Sequence, residues 1–120
     1  MPINSFSPDS GSFISLSEAN TMISNWESLQ SSLNIAISQA NPLSHGYGTN
    51  KIETILNQSG CVGIRIYNGY SNNERKLVIV GIDSSGNDMD SGNILDVGVI
   101  CPPNCPASSI NDWNYIYINL

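Results

Sequence analysis

Apolar positions along the chain recur first at helical spacing and then in alternation. Ser15-Leu16-Ser17-Glu18 fits a capping box, in which the serine hydroxyl and the glutamate carboxylate each meet an orphan backbone N–H. Behind it Leu16, Ala19, Ile23, Trp26, Leu29 and Leu33, with Met22 beside them, predict a helix over about 16–30 whose apolar stripe faces a core. Residues 33–41 fit a short strand or a helical extension equally well, and Pro42 ends either. After a loop through Gly46 and Gly48, a second helix is predicted over about 50–58. Thr49 or Asn50 caps it, Ile52, Ile55 and Leu56 face inward, and Gly60 closes it.

From Cys61 the period changes to two. Val62, Ile64 and Ile66 point one way, and Cys61, Gly63, Arg65 and Tyr67 the other. The Asn- and Gly-rich stretch 68–73 turns the chain back into Leu77–Ile82, which is apolar on both faces as a covered central strand would be. Asp83–Asp88 reads as a turn, Ile94–Ile100 as a strand, and the prolines of Cys101–Pro106 must leave the sheet because they cannot donate to a ladder. Trp113, Tyr115 and Tyr117 alternate with Asn114, Ile116 and Ile118 as a last strand. The expected fold is α+β, with two N-terminal helices packed on a small, mainly antiparallel sheet of three or four strands. Residues 1–14 form an N-terminal arm and 15–120 a single domain.

Composition changes this picture in one respect. Only 12% of the 120 residues are charged, and 19 Ser and 16 Asn stand in their place. Such a surface lacks the repulsion that keeps small domains apart. The net charge of −6, with four Lys and Arg in all, argues against nucleic-acid or acidic-membrane partners. No apolar run is long enough to cross a bilayer. The N-terminus has no basic and apolar leader pattern, so the expected compartment is the cytoplasm, with the cell surface or exterior as the alternative.

Gly60–Tyr67, then Val80-Gly81-Ile82-Asp83 with Gly86-Asn87-Asp88, then Cys101-Pro102-Pro103-Asn104-Cys105, resemble a family of small uncharacterised bacterial proteins of the Bacteroidetes type. The similarity covers roughly residues 15–106. It implies a lineage and carries no activity, cofactor or site.

The candidate chemistry is sparse. Cys101 and Cys105, with Cys61 and His45, make up a Cys3His set suited to zinc, but without the usual Cys-x2-Cys spacing. Free, buried thiols are the expected state, with a disulfide as a further alternative. Asp83, Asp88 and Asp90 offer hard oxygens for calcium, although a hairpin turn needs the same residues with no ion. His45 is the only histidine, so a Cys61–His45 nucleophile pair competes with an ordinary loop histidine. No phosphate loop, H-E-x-x-H motif or G-x-S-x-G elbow is present. Arg65 is expected to pair with a carboxylate across the sheet, such as Asp96 or Glu74, with an anionic ligand as the alternative. Trp113, Tyr115, Tyr117, Phe6 and Ile3 are the candidate interface residues, since aromatic side chains are enriched in interface cores. The expected function is a non-enzymatic interaction or self-assembly module without a cofactor, its partner another copy or another protein. An ion- or small-ligand-binding protein is the alternative, and a small enzyme ranks below it.

Overall fold

The computed structural model describes residues 5–110. It is α+β, with two helices and two antiparallel sheets. Its residues group into two compact units. One takes the chain up to Gly11, Tyr47–Ser71 and Lys76–Gly98; the other takes Ser12–Gly46, Asn72–Arg75 and the chain from Val99 on.

The first unit is built on a three-stranded sheet in the order β2-β3-β4, where β2 is Cys61–Ser71, β3 Glu74–Asp83 and β4 Ile94–Leu95. The doubly apolar run lies in the central strand, as its pattern requires: Ile79, Val80 and Ile82 are buried. Helix α2, Thr49–Leu56, packs against β2 and drives Ile55 into the core. Gly48 is its N-cap and makes no side-chain bond, so neither Thr49 nor Asn50 plays that part. Gly60 is left-handed, at φ +83°, but it stands in the turn into β2 beyond the C-cap Asn57.

The hairpin between β2 and β3 is tighter than expected. Both strands run to a two-residue turn, Asn72-Asn73, with φ of 53° and 62°. Such mirror-image turns match the strand twist, and asparagine tolerates the left-handed region. The predicted strand Ile94–Ile100 is divided. Ile94 and Leu95 pair with Val80 and Ile79, and then Val97 adopts φ +62°, which no ladder accepts. Beyond it β5, Val99–Cys101, joins the other sheet.

In the second unit β5 pairs antiparallel with β1, Ser44–Gly46, a strand inside the stretch expected to be loop. Three residues are too few for alternation to show. Helix α1, Leu16–Ser32, begins with the expected capping box: Glu18 N donates to Ser15 Oγ at 3.0 Å and Ser15 N to Glu18 Oε1 at 3.3 Å. It ends in a Schellman motif. Asn34 is left-handed at φ 59°, its N–H reaches Ser31 O at 3.0 Å, and Ile35 N reaches Gln30 O at 2.9 Å. That motif resolves the ambiguous 33–41 stretch as neither strand nor helix. The stripe on α1 departs from its expected role, because no residue of the helix is buried.

Candidate functional site

The polar chemistry of the first unit converges on Asp88. Arg65 Nη1 donates to Asp88 Oδ1, Tyr67 Oη donates to Oδ2 at 2.5 Å, and Arg65 Nη2 reaches Gly86 O at 3.2 Å. Arg65 and Tyr67 stand two residues apart on one face of β2, and the 83–88 turn brings Asp88 to them. Arg65 therefore pairs with a carboxylate, as expected, but the partner is Asp88 and not Asp96 or Glu74. The Tyr67 hydroxyl and then Arg65 hold the Asp88 carboxyl below its ordinary value. The bond to Asp88 pushes both the Tyr67 hydroxyl and the Arg65 guanidinium up.

The same turn accounts for Asp83, whose Oδ1 accepts from Ser85 N at 2.9 Å and Asn87 N at 3.0 Å. Gly86, at φ +82°, completes it. Two of the three carboxylates that could have offered oxygens to calcium thus serve the hairpin, the reading preferred for this loop, and Asp90 stands on the exposed stretch that follows. Among the described residues no three His, Cys, Asp or Glu side chains gather as a metal centre would.

The cysteines resolve differently from expectation. Cys101 and Cys105 form a disulfide, with Cα atoms 4.6 Å apart, where free thiols were expected. The peptide bonds before Pro102 and Pro103 are both cis. Both sulfurs are thereby withdrawn from the candidate zinc set. His45, paired in register with Ile100, sits on β1 of the same unit. Cys61 belongs to the other unit, where its thiol donates to Gly63 O at 3.2 Å.

Of the expected interface residues, Phe6 is seated within its own unit. The three atoms nearest to the place a Gly63 Cβ would occupy all belong to its ring. Ile3, Trp113, Tyr115 and Tyr117 lie outside the described residues.

Two residues that no motif singled out organise their surroundings. In the second unit, Arg75 donates its backbone N–H to Ala40 O at 2.8 Å and Nη2 to Pro42 O at 3.1 Å, and its guanidinium lies 5.5 Å from the centre of the Trp26 ring. In the first, Gln58 bridges two segments: its Nε2 donates to Ile55 O at 2.9 Å and its Oε1 accepts from Asn93 N at 2.8 Å. Sequence spacing holds no signal for either contact, since Gln58 and Asn93 are 35 residues apart.

Among the described residues each unit also carries an open groove. In the first, a groove of about 500 Å³ runs between α2 and the 93–97 segment, with Lys51 and Asp96 as its charged groups. In the second, a groove of about 610 Å³ lies beside the start of α1, where Asn20 Nδ2 donates to Ile110 O at 3.0 Å. Neither groove brings a histidine or a thiol to its lining.

The largest unexplained feature is apolar. Met22, Leu29 and Leu33 are 63%, 54% and 57% exposed along α1, and Phe13, Ile14 and Leu16 are exposed just before and at its start. Among the described residues, by contrast, the buried hydrophobic ones are Ile55, Ile79, Val80, Ile82 and Cys101. Among the described residues no helix is long and apolar enough to cross a membrane. No family model, no curated protein and no solved structure matches the chain.

Proposed function

We propose that the protein is a non-enzymatic self-assembly module whose partner is another copy of the same chain. The observation that carries this reading is α1, a well-capped amphipathic helix with no buried residue, along one side of which Met22, Leu29 and the C-cap residue Leu33 stand open. A continuous apolar stripe left in water is costly, and such patches mark interaction sites. The local charge of α1 supports the same reading, because only Glu18 and Glu27 of its 17 residues are charged and neither lies in the apolar stripe.

The test is sizing with light scattering on the intact chain from micromolar to millimolar concentration. Assembly gives a mass above 12.9 kDa that falls on dilution. A mass of one chain at every concentration refutes it.

A further inference from the structure

We infer that α1 pairs with α1 of a second copy in antiparallel register, through the seam Ala19, Met22, Trp26, Leu29 and Leu33. The inference rests on the self-assembly reading and specifies its contact. These five positions follow one another at intervals of three, four, three and four, the a/d spacing by which helices pack knobs into holes. At 100° per residue they fall within an arc of about 80°.

The helix's own unit uses only one margin of that arc. Trp26 is half-buried under Arg75, and Gln30 Oε1 accepts from Asn41 Nδ2 at 3.0 Å. Met22, Leu29 and Leu33 stand on the other margin and are more than half exposed. The flanking positions Glu18, Ile23, Asn25, Gln30 and Ser32 include one charge, so like helices meet without a ladder of repelling groups.

Register follows from the side chains. Met22, Trp26, Leu29 and Leu33 are spaced four, three and four, which reads the same from either end. Laid antiparallel, Met22 meets Leu33 of the second copy and Trp26 meets its Leu29, so these four positions form layers that each occur twice, as two-fold symmetry demands, while Ala19 lies past the end of the partner helix. A parallel pair would stack Trp26 on Trp26 and align the two helix dipoles. The antiparallel pair places the large ring against a smaller side chain and opposes the helix dipoles. The exposed parts of the three open residues come to a few hundred Å² per copy, against about 800 Å² per partner in a standard interface. The pair is therefore a weak, concentration-dependent dimer.

Sedimentation of the intact chain tests this. Leu29→Glu, in the seam, weakens association by at least about tenfold, while Ser24→Glu, on the opposite side of the helix, leaves it within about twofold. Met22→Glu and Leu33→Lys each weaken it, and the double variant recovers it, because the introduced charges face each other only in the antiparallel register. Circular dichroism confirms that each variant keeps its helix content. Association that ignores Leu29→Glu overturns the seam but leaves self-assembly standing. Loss in both single variants without recovery in the double variant overturns the antiparallel register. A single-chain mass throughout overturns both.

Discussion

The seat of Phe6 on Gly63 makes a quantitative prediction about where the N-terminal residues spend their time. A methyl group added at Gly63 would occupy the space of the Phe6 ring, and no backbone atom is among its three nearest neighbours. Overpacking costs about 1–3 kcal/mol where the neighbour cannot move. Here the neighbour can leave, because Ser5 and Ser7–Gly11 around Phe6 are exposed. The cost of Gly63→Ala is therefore capped by what seating Phe6 contributes. Full burial of a phenylalanine stabilises by about 1.5–3 kcal/mol, so a half-buried ring is worth about 1 kcal/mol. Against this, Gly63 lies inside β2, where glycine is about 0.5–1 kcal/mol worse than alanine, and its φ is outside the left-handed range. Gly63→Ala alone should change stability by less than about 1 kcal/mol and Phe6→Ala by about 1 kcal/mol. With Phe6 already removed, Gly63→Ala should stabilise by about 0.5 kcal/mol. The two changes are thus coupled, and Gly63→Ala is more favourable once Phe6 is removed. Urea unfolding of the four proteins measures this. A Gly63→Ala cost that is the same in both backgrounds would show that the ring is not seated there.

Three further outcomes follow from the geometry. Asp88 has a folded value below its ordinary 3.8, so the stability it confers is complete above that value and is lost as pH falls through the lower, folded one. Tyr67→Phe should move the Asp88 carboxyl titration, followed by carbon-13 NMR, upward toward 3.8, and an unchanged curve contradicts the Tyr67 contact. The Cys101–Cys105 disulfide closes a short loop, for which the chain-entropy account gives about 2 kcal/mol. Cys105→Ser or a thiol reductant should then lower Tm by roughly 8 °C, and an unchanged melting curve would refute the bridge. Arg75→Ala removes a charged hydrogen bond to Pro42 O and the contact with Trp26, at about 2 kcal/mol, and Arg75→Lys restores less than half because it lacks the planar fork. Urea midpoints for both variants decide this, with full rescue by lysine as the contrary result.

What the chain discloses about its fold divides by range. The capping box at Ser15 and Glu18 and the doubly apolar β3 are local or purely compositional, and both were legible. The misread elements depend on backbone angles that few residues announce. Asn72-Asn73 extends both hairpin strands by adopting positive φ, where a longer loop was expected. Val97 ends β4 in a conformation that a β-branched residue almost never takes, so the run Ile94–Ile100 looked continuous. β1 has three residues, and its pairing with β5 is fixed by partners more than fifty positions away.

The candidate site was hidden for a different reason. Burial and association both require apolar side chains at helical spacing, so Met22, Leu29 and Leu33 read identically as core and as interface until their exposure is known. The carboxylates show the same degeneracy. Asp83 in an Asx-type turn and Asp88 clasped by Arg65 and Tyr67 need the residue types that a calcium loop needs, and only the direction of their oxygens separates the cases. One asymmetry remains informative. A core helix can afford only apolar positions that match its neighbours in the same chain, whereas a self-pairing helix must match itself. The four-three-four spacing from Met22 to Leu33 satisfies that condition, and the exposure of three of its four residues leaves it open to be met by a second copy.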